Sequence, residues 1–352
     1  MSPQILPAPA RAVFLADPSP SVAAQAGGWA GAANGRLELH TFTTARQLLR
    51  RLEYQRPDLL MLNVTLPGFD GLTALRSLSG AGTPIVLLSP DTMEGARLTM
   101  EALLAGASDY VVERRRGGKT LLALRRTGFQ RALQRYLSPS PDASGGPIRS
   151  PGEIFWGRRS TWVQLRTDGE AVEARPLRGE VLPRSGSWVG IVLAAAPRLP
   201  RVVETFTRVP DRPAGPMILR IPQGPRFGRA MREVISRRWN RTVLELRPGE
   251  MLRAGHWRVL PGRSALRPRF GPQGAPLFDL APNRLRCDAR SMTQQLALLR
   301  DVFARRLRIY LFEKPRGMMI EPLRDLLEAG HGVFIHQDPS HSRTPLTRRL
   351  AP

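Results

Sequence analysis

Cysteine is nearly absent from this sequence of 352 residues, which contains one residue of that type. The single Cys287 excludes an internal disulfide framework, and it also excludes a metal site built from several cysteines. Lysine is equally scarce, since only Lys119 and Lys314 occur. No apolar run approaches the roughly 20 residues needed to cross a bilayer. The N-terminus lacks the basic and apolar regions of a secretory signal, so we expect a cytoplasmic protein.

Acidic residues are also few, because 29 Asp and Glu oppose 53 Lys and Arg and leave a formal net charge of +24. Such a charge is typical of nucleic-acid or anionic-membrane binders. The arginines, however, are spread over the whole chain among 33 prolines and 32 glycines, a composition typical of a GC-rich genome. We favour compositional bias with solvated arginines, including the clusters at 114–116 and at 125 and 126, and keep nucleic-acid binding as an alternative.

Two stretches of alternating apolar strands and amphipathic helices organise the chain, as the length of about two domains suggests. The first covers residues 10–135 and the second covers residues 187–345. Between them, residues 136–186 form a linker rich in Ser, Pro and Gly, with a predicted β-hairpin around Thr167 to Gly169. Strand–helix alternation predicts the α/β class, with a doubly wound parallel sheet in each domain.

The segment from Asp58 to Gly71, DLLMLNVTLPGFDG, resembles the signature of response regulator receiver domains. In that family a buried strand ends in the phosphate-accepting aspartate, and Pro-Gly-x-Asp-Gly follows. The segment GASDY at 106–110 is similar to the one that leads into the fifth strand of a receiver. The resemblance implies a flavodoxin-like receiver fold for the first domain.

Receiver chemistry needs an aspartate nucleophile and an acidic pair that holds a divalent cation. By the resemblance, the nucleophile position is Asn63, and an amide does not form an acyl phosphate. Of the acidic pair only Asp17 remains, because its neighbour is Pro18. We therefore interpret Asp17 as a residual polar residue of the pocket and not as a metal ligand.

The remaining receiver positions are a hydroxyl and a phosphate-binding lysine. The hydroxyl survives as Ser89. The lysine position falls on Glu113, which would repel a phosphate, and the neighbouring Arg114 is the alternative phosphate ligand. The sequence thus predicts a pseudo-receiver without phosphorylation at the usual site, without a metal and without a cofactor.

The second domain resembles the catalytic domain of chemotaxis protein-glutamate methylesterases of the CheB type. The matching segments are LRAGHWRVLPG at 252–262 and AGHGVFIHQD at 329–338, in the family's order behind a receiver. The resemblance implies a Rossmann-like methylesterase fold. It also implies a Ser-His-Asp arrangement that hydrolyses methyl esters on receptor glutamates.

All three positions of that arrangement are vacant in the alignment of motifs. The serine position is Ala195, the histidine position is Pro222 and the aspartate position is Met318. His331, His336 and His341 keep open a rebuilt catalytic or metal site. The simpler interpretation is that His331 and His336 flank a strand, and that His256 occupies a loop outside the family's catalytic residues.

The favoured hypothesis is a pseudoenzyme, a CheB-like regulator or scaffold of a chemosensory, motility or type IV pilus signalling system. Its partners would be a receptor, a histidine kinase or a methyltransferase-like protein. One alternative is an arginine-rich nucleic-acid-binding protein. The second alternative is a methylesterase with a rebuilt active site.

Overall fold

A computed structural model describes residues 11–30, 37–68, 75, 78, 82–113, 120–137, 161–168, 171–176, 182, 188–207, 213–221, 224–260, 264–271, 276–282, 295–296, 307–312 and 319–337. The chain divides into two compact units, Met1–Trp156 and Gly157–Pro352. None of the helices in the described ranges is both long enough and apolar enough to cross a membrane.

Within its described residues, the first unit contains five strands and four α-helices, numbered in chain order. They are β1 (Arg11–Ala16), α1 (Pro20–Ala30), β2 (Leu37–Phe42), α2 (Ala45–Tyr54), β3 (Leu59–Asn63), β4 (Ile85–Pro90), α3 (Met93–Ala105), β5 (Asp109–Glu113) and α4 (Leu121–Tyr136). The strands form one sheet in the order β2-β1-β3-β4-β5, and every pair is parallel. This order is that of flavodoxin-like doubly wound sheets, which confirms the predicted fold class.

Local sequence explains where these helices begin. Thr44 opens α2 with a capping box, in which Thr44 Oγ1 accepts a hydrogen bond from Gln47 N and the Gln47 side chain accepts from the Thr44 backbone. Thr92 and Thr120 cap α3 and α4 in the same way through single side-chain hydrogen bonds. Threonine caps thus fix three of the helix starts that surround the sheet.

The core of the first unit lies between the sheet and the helices α1 and α4. All five residues of β3 are buried, as expected for a central strand covered on both faces. Trp29 of α1 and Phe129 of α4 pack against each other with ring centroids 6.1 Å apart, next to Val13 and Met61 of the sheet. This packing holds α4 alongside the strands whose ends carry the predicted receiver residues.

Within its described residues, the second unit contains eleven strands and three α-helices. They are β6 (Thr161–Asp168), β7 (Ala171–Pro176), β8 (Val189–Leu193), α5 (Leu199–Thr207), β9 (Met217–Arg220), α6 (Pro225–Trp239), β10 (Val243–Glu245), β11 (Glu250–Met251), β12 (Trp257–Val259), β13 (Ser264–Phe270), β14 (Pro276–Pro282), β15 (Leu307–Leu311), α7 (Ile320–Glu328) and β16 (Gly332–Gln337). A sheet of eight strands has the order β10-β12-β9-β8-β15-β16-β6-β7, and β11-β14-β13 form a small antiparallel sheet.

Helices cover both faces of the large sheet. Ile309 belongs to an aliphatic cluster with Leu323 and Leu326 of α7. Its neighbour Tyr310 points to the opposite face, where it meets Phe206 of α5 with ring centroids 6.0 Å apart. The second domain is therefore also doubly wound, with six parallel strands from β10 to β16.

The predicted hairpin forms the edge of this second sheet. Strand β6 runs antiparallel to β16, with Trp162 opposite His336, and β7 pairs with β6. The Trp162 ring contacts the rings of Tyr310 at 5.6 Å and Phe312 at 5.5 Å. The segment 161–176 is thus counted with the second domain and not with the linker, because its backbone and its aromatic side chain are both engaged there.

Candidate functional site

The carboxyl edge of the first sheet gathers the residues that the receiver resemblance singled out. Asp17 follows β1, Asn63 ends β3, Ser89 lies near the end of β4 and Glu113 ends β5. Because the strands are parallel, their ends meet at one edge. All four side chains are buried, with 6% exposure or less. Buried polar groups need internal partners, and the partners explain what this edge can do.

Arg125 supplies the main partner from α4. Its Nη1 donates to Asp17 Oδ1 over 2.8 Å, and its Nε donates to Glu113 Oε1 over 2.8 Å. The Arg125 side chain is 8% exposed and the two carboxylate side chains are 2% exposed. One guanidinium therefore lies between two carboxylates out of contact with water, which makes these hydrogen bonds charge-assisted.

Asn63 is fixed by both ends of its amide. Its Nδ2 donates to Asp17 Oδ2 over 3.0 Å, and its Oδ1 accepts from the backbone N–H and the hydroxyl of Thr65 at 2.9 and 2.8 Å. An amide satisfies both contacts because it carries a donor and an acceptor. An ionised aspartate at 63 would instead face the Asp17 carboxylate with a like charge.

Ser89 is engaged by helix α3. Its hydroxyl lies 2.7 Å from Thr99 Oγ1 and 3.2 Å from the carbonyl oxygen of Gly95. Gly95 approaches closely, since a Cβ there would come within 2.6 Å of the Pro90 carbonyl oxygen. The surviving hydroxyl thus takes part in the packing of β4 against α3.

Burial raises the pKa of Glu113, although the hydrogen bond and the charge of Arg125 act in the opposite direction. The negative charge of Asp17 adds to the increase in pKa. The Glu113 carboxyl is therefore held in a place that disfavours its charged form more than water does.

A divalent cation does not fit this pocket. Receiver chemistry requires Mg²⁺ on oxygen ligands, and Asp17 is the remaining carboxylate of the expected pair because Pro18 replaces the other. Both Asp17 oxygens already accept hydrogen bonds, from Arg125, from Asn63 and from the backbone N–H of Ser19 at 2.9 Å. The guanidinium places a positive charge where the cation would need to approach.

A cleft of about 410 Å³ opens above this network. Its lining residues are Asn63, Thr65, Pro90, Asp91, Glu113, Leu121 and Arg125. The Arg125 guanidinium in this lining already pairs with the Asp17 and Glu113 carboxylates, which leaves it fewer donors for a phosphate.

In the second domain, Ala195 follows the central strand β8 and is partly exposed. Strand β8 lies between β9 and β15, and the chain runs from β8 to one side and later returns to the other. The gap between β8 and β15 is thus a topological switch point, where ligands bind in open α/β sheets. Alanine offers no nucleophile there. Pro222 and Met318 lie outside the described residues.

The described histidines of the second domain are His256, His331 and His336. His331 is buried before β16, whereas the His336 ring stacks on Phe312 at 4.9 Å. His256 Nδ1 lies 3.4 Å from Arg258 Nη2, beside the ion pair of Arg258 with Glu250. His341 is outside the described residues. Within the described ranges, no three His, Cys, Asp or Glu side chains form a metal-binding group.

The prediction that Arg125 belongs to a solvated cluster is wrong, because its side chain is buried in the pocket. The sequence carries a signal for it. Arg125 lies four residues before Phe129 and eight before Leu133, on the apolar stripe of α4. Its neighbour Arg126, outside the stripe, is exposed. An arginine inside an apolar stripe indicates a buried acidic partner.

Residues 13–119 match the family model described as the response regulator receiver domain. The chain is 29% identical over 232 residues to protein-glutamate methylesterase/protein-glutamine glutaminase 1 of Saccharophagus degradans, which covers 61% of this chain and 59% of that protein. It is 40% identical over 152 residues to the protein of that name in Xanthomonas oryzae pv. oryzae, covering 42% of this chain and 36% of that protein.

Two solved structures are also similar. The Thermotoga maritima CheB methylesterase catalytic domain has 13% identity and a TM-score of 0.37, covering 42% of this chain and 78% of that chain. The Vibrio cholerae chemotaxis response regulator CheY4 has 22% identity and a TM-score of 0.28, covering 36% of this chain and 100% of that chain.

The first domain is a response regulator receiver domain. Beyond that domain, the chain is similar to protein-glutamate methylesterases, with the receiver match at its N-terminal side. It spans about three fifths of the length of the first of these relatives. That the three positions 195, 222 and 318 correspond to the catalytic residues stays a prediction.

Proposed function

We propose that this chain is a non-catalytic CheB-like regulator that is not phosphorylated at the usual receiver site and acts through protein–protein contacts. The system it serves would be chemosensory, motility or type IV pilus signalling. A receptor, a histidine kinase or a methyltransferase-like protein would be its partner. Its relatives are named as methylesterases. Under this proposal the chain keeps the fold of those relatives but not their catalytic activity.

The observation that carries the proposal is the Arg125 bridge between Asp17 and Glu113. It accounts for two of the departures from receiver chemistry, those at positions 63 and 113. Asn63 suits the bridge because its amide donates to Asp17, and Glu113 suits it because a lysine at that position could not accept from Arg125. Substitutions that fit one another are expected of a pocket with a new structural role, whereas random loss would leave buried groups unpaired.

Ala195 supports the second half of the proposal. It lies at the switch point of the second sheet, next to the carboxyl ends of β8 and β15. An acyl-transfer mechanism needs a nucleophile with a base in hydrogen-bond reach, and alanine provides no such atom.

Phosphorylation is tested by incubating the full chain with acetyl phosphate and MgCl₂ and measuring intact mass. We expect no mass increase of one phosphoryl group. A receiver domain with an intact site, treated in parallel, must show it. A phosphorylated wild-type chain, with the modification mapped to the receiver pocket, would overturn this half of the proposal.

Ester hydrolysis is tested by measuring methanol release from methylated receptor fragments. We expect no release above the rate without protein, and an active CheB-type relative is the positive control. Ala195→Ser is expected to stay inactive, because a serine also needs its base. Methanol release by the wild-type chain would remove the non-catalytic proposal and favour a rebuilt active site.

The partner is tested with purified receptor fragment, histidine kinase and methyltransferase-like protein from the same genome, each titrated against the full chain. We expect saturable binding to at least one of them. The affinity should be insensitive to acetyl phosphate. Absence of binding to all three would contradict the proposed protein–protein role.

A further inference from the structure

The buried network at the receiver pocket places a positive charge between two carboxylates, as a metal site does. Here the positive charge is the Arg125 guanidinium. Asp17 and Glu113 come from the ends of β1 and β5, on the two sides of β3 and β4 in the sheet. Each donates no hydrogen bond when ionised, and each needs a positive partner because it is buried. The guanidinium of Arg125 contacts both within 2.8 Å.

The guanidinium differs from a bound metal in being permanent. A metal occupies its site only as its concentration and affinity allow, whereas Arg125 is tethered to α4 and always charged. The same side chain ties the helix to the sheet edge. Phe129, one turn further along α4, is fully buried against Trp29, so one face of the helix is held by an ion pair and by apolar packing together.

We infer that Arg125 is a built-in replacement for the divalent cation of the receiver pocket and keeps α4 seated on the sheet in a single, metal-independent state. The pocket therefore excludes Mg²⁺ because Arg125 takes its place, and not only because metal ligands are missing. The inference concerns conformation, and it stands whether or not the second domain hydrolyses an ester.

The first test uses the wild-type full chain. Its melting temperature is measured in MgCl₂, in MnCl₂ and in EDTA, and Mn²⁺ binding is followed directly by electron paramagnetic resonance. We expect the melting temperatures to agree within about 1 °C, because a ligand that does not bind does not stabilise. Mn²⁺ binding that disappears in Asp17→Asn would overturn the inference.

The second test removes the internal cation. Arg125→Met keeps most of the aliphatic stem but leaves two buried carboxylates without a counter-charge. We expect a melting temperature lower by about 10 °C, partly restored by Mg²⁺ or Mn²⁺, which the wild type ignores. Arg126→Met is the matched control, because Arg126 is the adjacent exposed arginine of the same helix, and it should change neither property.

A double variant allows the inference to be tested even if Arg125→Met does not fold. Asp17→Asn combined with Arg125→Met removes one of the two carboxylates, so it should be more stable than Arg125→Met and should not respond to metal. A folded Arg125→Met that is as stable as the wild type, or that gains nothing from either metal, would contradict the inference. These readouts use neither activity nor a partner, so they are independent of the proposed function.

Discussion

Arg125 and Asp17 are 108 positions apart in the chain, yet the Arg125 Nη1 donates to the Asp17 carboxylate across 2.8 Å in the interior of the first unit. The pair joins the fourth described helix to the end of the first strand. Together with Glu113 and Asn63 it turns the reactive edge of a receiver fold into a closed set of hydrogen bonds.

Restoring an aspartate at the acceptor position should not restore phosphorylation. In Asn63→Asp the new carboxylate would lie about 3 Å from the Asp17 carboxylate, in place of an amide that donates to it. Arg125 would still be paired with Asp17. We expect no phosphoryl mass increase with acetyl phosphate and MgCl₂, and a lower melting temperature. Asn63→Ser serves as the uncharged control. Efficient phosphorylation of Asn63→Asp would show that the pocket remains competent.

Glu113 should make stability decrease with rising pH. Its folded pKa is raised above the ordinary value of 4.5, so the folded state holds the proton over a pH range in which the unfolded chain has lost it. Its contribution is greatest below pH 4.5 and declines as the pH rises through the raised pKa. We expect the melting temperature of the wild type relative to Glu113→Gln to fall over this range. If this difference in melting temperature increased with pH, the raised pKa of Glu113 would be contradicted.

Glu250 should behave in the opposite way. Burial alone would raise its pKa, but the hydrogen bond and charge of Arg258, with a hydrogen bond from the Arg247 backbone, lower it below 4.5. Its contribution is then present above the ordinary pKa and is lost as the pH falls through the lowered one. Relative to Glu250→Gln, the wild type should lose stability on acidification. If the stability difference between the wild type and Glu250→Gln did not change with pH, the ion pair of Glu250 with Arg258 would not stabilise the fold.

Two glycines should respond in opposite directions to alanine. A Cβ at Gly215 would lie 2.2 Å from the Trp188 carbonyl oxygen, so Gly215→Ala should cost about 1–3 kcal/mol of unfolding free energy. Gly228 lies inside α6, and a Cβ there meets nothing within 4 Å, so Gly228→Ala should add about 0.5–1 kcal/mol. Denaturant titration followed by circular dichroism measures both. Equal effects would contradict the close approach of Gly215 to the Trp188 backbone.

Trp162 should be essential to the second unit. Its ring contacts Tyr310, Phe312 and His336 and is 7% exposed, so Trp162→Ala should cost about 3–5 kcal/mol. Tyr54→Ala is the control, because Tyr54 is 83% exposed and its removal should change stability by less than about 0.5 kcal/mol. A silent Trp162→Ala would place the hairpin outside the stable core.

The sequence by itself determined the α/β class and the alternation of strands with helices in two domains, because apolar runs such as the one at Leu59 act locally. It also identified Asn63, Asp17, Ser89 and Glu113 as one group, since motif order along the chain carries that information. Tertiary structure alone decided two things. It brought Arg125 to Asp17, and it placed Trp162 on the edge of the second sheet. Both contacts join residues more than a hundred positions apart, and neither composition nor local periodicity specifies which distant group a buried arginine or a strand edge will meet.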